Sequence, residues 1–439
     1  MIEYRNLKVA LLGGGSVGAN VASLLLEHGE ELASRAGAGL ELVGVAVRDL
    51  DAVRSPSIPK HLLTTDAEAL ILGADIVIEL IGGLEPARTL VLKAINSGAD
   101  VISGNKALLA THGPELFEAA EQVGAQLYYE AAVGGAIPII RPLRDSLAGD
   151  RVTRILGIVN GTTNYILDLM DTEGESMESA LAKATALGYA EADPTADVEG
   201  YDAAQKAAIL ASLAFHTEVP LDSVYREGIT KVTLEQVQAA RKAGYVVKLL
   251  AVAERLAIPG TSDFGVSTRV HPALVPLAHP LAAVHEAKNA VFVEAEAAGS
   301  LMFYGAGAGG KETASAVLGD LVSAARRHVV GGPGVAESTH ANLPILPISS
   351  VTTRYQITLT VVDEPGVLAT IATLFSEHEV SVETVAQSVG TVHGTVPATA
   401  TLVIGTHAAT EASLASTVEA LQTSSVVSSV DSVLRVEGL

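Results

Sequence analysis

Between Leu187 and Lys206 the chain reads LGYAEADPTADVEGYDAAQK, where Glu191, Asp193, Asp197, Glu199 and Asp202 set five carboxylates in twelve residues with no cation among them. Lys206 follows Asp202 by four residues, which on a helix stacks the two side chains on one face. By spacing alone this is a surface ion pair worth roughly a few tenths of a kcal/mol. By chemistry, the acidic run suits a ligand ammonium, and the lysine beside it can exchange a proton with a hydroxyl or carbonyl oxygen. Together they describe a site for a polar, amine-bearing substrate.

Gly13-Gly14-Gly15-Ser16-Val17-Gly18 follows a short apolar run and sets glycines at 13, 15 and 18 in the G-x-G-x-x-G pattern. Gly13 permits a tight turn, Gly15 lets backbone amides approach a pyrophosphate, and Gly18 allows close helix–strand packing. The helix that opens at Ser16 and Val17 then offers its unpaired amides and positive end to the anion. A dinucleotide is the expected ligand. Arg48 and Asp49 follow the second apolar run. An arginine there accommodates the 2′-phosphate of NADP, whereas an acidic residue holds the 2′-hydroxyl of NAD. Arg48 comes first, so NADP(H) is expected, with NAD and a merely solvated charge pair as the alternatives.

Asn105 and Lys106 fall where a short strand ends, the place where open parallel sheets bind ligands. Lys106 there faces the nicotinamide ribose or the substrate, or is simply solvated. Glu130 leaves another strand through small residues up to Pro138, as a plain turn or as a carboxylate beside carbonyls that collect a hard cation. His271, His279 and His285 have neither helical spacing nor a companion thiol, so loop or surface roles are expected of them.

The elements that must position these groups follow from periodicity. Lys8 to Leu12, a helix from Ser16 to about Arg35, and Leu40 to Val47 make a strand–helix–strand unit. Further strands are expected at Ala74 to Ile81, Asp100 to Ser103 and Gln126 to Glu130, with helices at Glu85 to Ser97 and Pro114 to Val123. That alternation predicts a doubly wound parallel sheet over residues 1–140. From Ile139 a long helix is expected, then a strand at Val152 to Val159, helical sequence from Thr162 to Leu256, and strands at Phe264 to Val270 and Ala290 to Ala297. Residues 141–330 therefore read as an α+β domain with a mostly antiparallel sheet. Residues 331–350, rich in Gly, Pro and Ser, read as a linker, and 351–439 as an independent βαββαβ module.

Composition narrows the chemistry. The 439 residues are too many for one ordinary core, and 49% hydrophobic against 18% charged residues excludes a disordered chain. Twenty-eight Lys and Arg against 50 Asp and Glu give a net charge of -22, which repels nucleic acid and anionic lipid, so neither is an expected partner. The absence of cysteine removes disulfides, thiolate-bound zinc, iron–sulfur clusters and any thiolate nucleophile. The richest apolar stretch, Ala69 to Leu84, is broken by Asp75 and Glu79, short of the roughly 18 residues a membrane span needs. Arg5 and Lys8 ahead of an apolar run imitate a secretory signal, but the run dissolves into Gly13-Gly14-Gly15, so a cytoplasmic protein is expected.

These motifs in this order resemble the homoserine dehydrogenase family, in the form carrying a C-terminal ACT domain. The resemblance rests on GGGSVG at 13–18, SGNKALLA at 103–110, EAAVGGAIPII at 130–140 and GIVNGTTNYIL at 157–167. It continues through the acidic segment at 187–206, HPLAAVHEAKNA at 279–290 and GAGAGGKETASAV at 305–317. It implies a Rossmann-like nucleotide domain, a catalytic and dimerisation domain and a regulatory tail. The implied reaction is NAD(P)-dependent interconversion of L-homoserine and L-aspartate 4-semialdehyde, run in the reducing direction for threonine, methionine and isoleucine synthesis, in a homodimer or homotetramer.

The resemblance also implies roles. Lys206 becomes the proton donor to the aldehyde oxygen, Lys106 a second cation near cofactor and substrate, and Glu191, Asp202 and Asp197 the substrate contacts. A sodium or potassium ion is implied at Glu130 with the carbonyls of Val133, Gly135 and Ile137. Gly307 and Gly310 sit in a late segment that returns to the cofactor. In the tail, Asp363, Pro365, Gly366, Val367 and Leu368 form the loop between first strand and first helix, with L-threonine as the implied effector. No covalent intermediate is needed, in keeping with the absent thiol, which excludes the neighbouring thiol-dependent semialdehyde dehydrogenases. Another Rossmann oxidoreductase acting on a small amino-acid aldehyde and a catalytically silent amino-acid sensor are the rival readings.

Overall fold

The computed structural model describes residues 6–331, 339–389 and 399–438. The first apolar runs form parallel strands β1 (Asn6–Leu12), β2 (Gly39–Ala46), β3 (Leu63–Thr64), β4 (Ile76–Glu79), β5 (Asp100–Ser103) and β6 (Leu127–Tyr128). Their spatial order is β3-β2-β1-β4-β5-β6. The chain therefore winds outward from β1, returns, and winds the other way from β4, leaving a crevice at the strand ends between β1 and β4. Helices α1 (Ser16–Glu27), α2 (Gly29–Ala36), α3 (Ala67–Leu72), α4 (Ala87–Asn96) and α5 (Lys106–Val123) cover the sheet. Leu7, Val9, Leu11, Ile76, Ile78 and Ile102 form its core against Ala19, Ala22 and Leu25 of α1. Pro114 suggested a helix start, but α5 begins earlier, because the Asn105 side chain accepts from the amide of Leu108 and caps it at Lys106.

Residues Pro142–Ser146 form one short π-helical turn and no long helix, between prolines at 138 and 142 and Gly149. Strand β7 (Val152–Ile158) precedes helices α6 (Gly161–Thr172), α7 (Met177–Ala186), α8 (Thr195–Val198) and α9 (Tyr201–Phe215). After β8 (Tyr225–Arg226) and α10 (Leu234–Lys242) come the paired strands β9 (Tyr245–Ala257) and β10 (Phe264–Pro276). β9 overturns the helical reading of this stretch. Val246 to Ala253 are buried without a break, and periodicity cannot tell such a strand from a buried helix. The hairpin β11 (Lys288–Ala295) and β12 (Gly299–Ala306) lies on β7, all antiparallel, and α11 (Gly310–Val330) follows. Ala314, Val317, Leu321 and Ala324 of α11 are buried in the nucleotide-domain core.

The tail is β13 (Thr352–Val362), α12 (Val367–Glu377), β14 (Val382–Val389), β15 (Thr399–Thr406), the short β16 (Ala409–Thr410), α13 (Glu411–Thr423) and β17 (Val427–Val436). Its four long strands lie in the order β17-β13-β15-β14, the expected βαββαβ module. Of the expected linker, residues 332–338 lie outside the described residues. Beyond them the amide of Val266 donates to Pro344 at 2.9 Å and that of Leu346 to Val266 at 2.8 Å, so this stretch is laid along β10. No helix among the described residues is long and apolar enough to cross a membrane.

The described chain divides into two compact units. The first comprises Met1–Gly161, Asp202–Val224 and Ala287–Leu343, and the second Thr162–Tyr201, Tyr225–Glu286 and Pro344–Leu439. Within the second unit the tail is not independent. β17 pairs in parallel with β10 at Ala273 and Leu274, and the amide of Glu437 donates to Leu274 at 3.0 Å. Arg269 of β10, fully buried, donates to Glu254 at 3.1 Å and to the buried Glu437 at 2.9 Å. Breaking a buried pair from one side leaves an uncompensated charge. Arg269→Met should therefore lower the unfolding free energy by about 3–5 kcal/mol. Urea denaturation at constant slope checks this, with Arg269→Lys recovering part of the loss.

Candidate active site

The glycine turn closes on its neighbours from two sides. Gly13 has φ 107, and a Cβ on it would lie 2.6 Å from the Leu80 carbonyl oxygen. A Cβ on Gly18 would lie 2.0 Å from the Gly13 oxygen, whereas one on Gly15 would meet nothing within 4 Å. The turn is packed from behind and open in front. Gly15 caps α1 without a side-chain hydrogen bond, leaving the amides of Ser16, Val17 and Gly18 facing the opening. Such a cradle fits a dinucleotide pyrophosphate. Gly310, which opens α11, comes so near that a Cβ there would sit 2.5 Å from Ser16 Oγ. Gly307 lies elsewhere along the path, where a Cβ would strike the Asn289 side chain and its carbonyl oxygen lies 2.4 Å from the Cβ position of Gly135. Arg48 is exposed past the end of β2. The guanidinium nearest the turn belongs to Arg54, which sequence reading did not single out. Its Nε lies 3.0 Å from the Cβ position of Gly14, and its other nitrogens donate to the carbonyls of Asp49 and Ala52.

The expected surface pair is buried instead. Asp202 in the first turn of α9 is 7% exposed and Lys206 8%. Lys206 Nζ donates to Asp202 Oδ2 at 2.7 Å and to the Val159 carbonyl at 2.7 Å. Lys106 Nζ, on a side chain 42% exposed, lies 2.8 Å from Asp202 Oδ1. Asn160 Nδ2 adds a bond to Oδ2 at 3.0 Å. Burial alone would raise the Asp202 carboxyl, but Lys206 and Lys106 outweigh it and hold the group well below the usual carboxylate range. Asp202 is thus a permanent anion between two ammonium groups. Lys106 stands at the positive end of α5, where a cation is disfavoured, so its position depends on Asp202. Asn160 and Val159 lie inside a quoted motif, yet spacing offered no sign of their role.

The remaining carboxylates of the acidic segment belong to the second unit. Thr162 Oγ1 donates to the Tyr189 carbonyl at 2.7 Å and anchors the start of the segment. Glu191 is exposed on the following turn, and Asp197 is half-buried in α8. Two others have structural duties: Asp193 accepts from the Thr195 amide at 3.1 Å, and Glu199 from Thr230 Oγ1 at 2.8 Å.

At the turn after β6, Glu130 is buried, but its carboxylate is fully engaged. Oε1 accepts from the amides of Ile139 at 2.5 Å and Ile140 at 2.8 Å, and Oε2 from the amide and Nε of Arg141, each at 3.0 Å. Asp320, its carboxyl pushed up to about 7 by burial, accepts from the Glu130 amide at 2.9 Å. The Glu130 carboxylate therefore does not fit as a cation ligand, and an ion here would rest on backbone oxygens such as those of Val133, Gly135 and Ile137. Among the described residues no three His, Asp or Glu side chains are grouped to hold a metal. His285 instead pairs with Asp168 at 2.8 Å, and His279 caps the Leu281 amide at 3.2 Å. In the tail, Gly366 takes φ 98 between Asp363-Glu364-Pro365 and α12, which opens with buried Val367 and half-exposed Leu368.

Along nearly its whole length the chain is similar to proteins of one family. The model described as "Homoserine dehydrogenase" matches residues 138–322, that described as "Homoserine dehydrogenase, NAD binding domain" matches 13–130, and that of the ACT domain matches 355–424. The homoserine dehydrogenase of Mycobacterium tuberculosis (strain ATCC 25618 / H37Rv) is 54% identical over 441 residues, covering 99% of each chain. That of Corynebacterium glutamicum is 52% identical over 434 residues, covering 98% of this chain and 95% of the relative. A solved homoserine dehydrogenase from Thiobacillus denitrificans has a TM-score of 0.91 at 38% identity, covering 99% of this chain and 98% of that one. A hyperthermophilic archaeal homoserine dehydrogenase in complex with NADPH has a TM-score of 0.62 at 25% identity, covering 75% of this chain and 99% of that one. The glycine turn, Lys106, Asp202 and Lys206 all fall inside the matched segments, and the chain belongs to the homoserine dehydrogenase family.

Proposed function

We propose that the chain reduces L-aspartate 4-semialdehyde to L-homoserine with NADPH, in the cytoplasm and as a homodimer or homotetramer. The Lys106–Asp202–Lys206 cluster, with Asp202 and Lys206 buried and Lys106 open on one side, carries this reading. A bound nicotinamide supplies hydride to the aldehyde carbon. As the carbonyl oxygen gains negative charge, Lys206 Nζ gives it a proton, and the Lys106 ammonium lowers the energy of that charge. Asp202 holds the two ammonium groups together against their repulsion. Glu191 and Asp197 are assigned to the substrate ammonium by family resemblance. A sodium or potassium ion on the carbonyls near Val133 would brace the turn and takes no part in these steps.

The preference for NADPH rests on Arg48 and on Arg54 beside Gly14, and on the related archaeal enzyme solved with NADPH. L-Threonine is the proposed effector of the tail, and a chain of contacts inside the second unit leads from the tail to the acidic segment. Arg435 of β17 donates to Glu411 at 2.7 Å and to Glu227 at 2.9 Å. The neighbouring Arg226 donates to the Glu199 carbonyl and stacks 3.5 Å over the Tyr201 ring, next in sequence to Asp202. The Ile229 amide donates to Val198 at 2.7 Å.

Lys206→Ala should lower the rate of NADPH oxidation with L-aspartate 4-semialdehyde by about 10²–10⁴-fold, and Lys106→Ala by about 10²–10³-fold. A wild type without turnover would sink the enzyme reading in favour of a sensor. Arg48→Ala and Arg54→Ala should each raise the KM for NADPH and leave that for NADH nearly unchanged, which paired kinetics with the two cofactors will test. Arg435→Met should weaken inhibition by L-threonine about tenfold or more, within the usual range of allosteric couplings, while calorimetry still detects threonine binding.

A further inference from the structure

Glu79, the last residue of β4, is completely buried, and all three of its hydrogen-bond partners are neutral donors. Its Oε1 accepts from the amides of Ile81 at 2.8 Å and Gly82 at 3.2 Å, folding the side chain back onto its own loop. Gly82 and Gly83 both take left-handed φ, 80 and 72, so the loop turns sharply where the carboxylate grips it. Oε2 accepts from Ser103 Oγ at 2.7 Å, at the end of the adjacent strand β5. Ser103 Oγ in turn accepts from the Asn105 amide at 3.1 Å, and Asn105 Nδ2 donates to the Gly83 carbonyl at 2.6 Å. The loop after β4 and the start of α5 are thereby locked into one ring of hydrogen bonds.

That ring stands at the crevice where the strand order reverses. On one side the Leu80 carbonyl abuts Gly13 of the cofactor turn, so closely that a Cβ there would lie 2.6 Å away. On the other side Asn105 caps α5, whose first residue is Lys106. A carboxylate accepts from both amides and from the Ser103 hydroxyl at once, whereas an amide side chain would turn its NH2 toward Ser103 Oγ and reverse that bond. A buried charge without an ionic partner is costly unless its hydrogen bonds are complete. A neutral residue would join two strand ends at lower cost, so the carboxylate is better explained by the geometry that it imposes.

We propose that Glu79 is a positioning residue for hydride transfer: it fixes the spacing between the dinucleotide turn and Lys106. The proposal rests on the reading of Lys106 as the cation beside the reacting oxygen. Misplacement of reacting groups by about 1 Å can cost about 100-fold in rate.

The test compares Glu79→Gln, Ser103→Ala, Lys106→Ala and the Glu79→Gln/Lys106→Ala double variant in the full chain, by steady-state NADPH oxidation and thermal melting. Glu79→Gln keeps the volume, and Ser103→Ala removes only the bridging hydroxyl. Both should melt as folded proteins with kcat reduced about 10- to 100-fold, and with smaller changes in the KM for the aldehyde. The double variant should be no slower than Lys106→Ala, because Glu79 acts through the placement of Lys106, which that variant already lacks. Lower melting temperatures with wild-type kcat would reduce Glu79 to a structural brace and overturn the proposal, as would losses that multiply in the double variant. Wild-type rates in Lys106→Ala would remove the reading of Lys106 and this proposal with it. A slow Lys106→Ala beside a wild-type-rate Glu79→Gln would overturn the proposal alone.

Discussion

A carboxylate withdrawn from water between two ammonium groups constrains much of the first unit. Asp202 loses hydration on burial, and Lys106 and Lys206 restore the favourable energy only if both stay within hydrogen-bond distance. Three separate stretches must therefore converge on one point. Lys106 arrives from the end of β5, Val159 and Asn160 from the end of β7, and Asp202 and Lys206 from successive turns of α9. A shift in any of them strands a buried charge, so the cluster demands a rigid frame. The apolar core between β1, β4, β5 and the helices α1 and α11 provides it.

A different arrangement operates in the second unit, where buried guanidinium groups take the place of the ammonium pair. Arg269 ties β10 to Glu437, and Arg435 ties β17 to Glu411 and Glu227. The tail thereby shares strands and charges with the body of the unit. A swinging domain could signal only by docking and undocking. A tail whose last strand lies in the same sheet as β10 can transmit a strain of much less than an ångström, because packed interiors resist continuous deformation. That mechanical continuity makes the tail part of the body of the unit.

The parts of this architecture legible in the sequence were those that depend on local rules. Glycines 13 and 18 announce a turn because a Cβ at either would strike the backbone, and the alternation of short apolar runs with amphipathic helices announces the parallel sheet. What escaped reading depends on burial. The spacing of Asp202 and Lys206 describes a surface pair as well as a core pair, and only tertiary packing distinguishes them. The last part of the stretch Thr162 to Leu256 reads as helix because a strand buried on both faces, here Tyr245–Ala257, shows no period of two. Glu130 looked available for a cation because the sequence does not show that four donors, from Ile139, Ile140 and Arg141, converge on it. Arg54 was invisible because a loop of unpredictable path carries it back over Gly14.

The charge of the whole chain gives the cluster its chemical sense. With a net charge of -22 the chain is acidic as a whole, which disfavours negative charge developing at its surface. Lys106, Lys206 and Asp202 together carry one net positive charge, half enclosed by protein, where screening by bulk water is weakest. An oxygen that gains negative charge beside them neutralises that island without creating a new buried charge. Two lysines on one aspartate thus set a local cation inside an acidic chain, where a developing negative charge meets attraction and not repulsion.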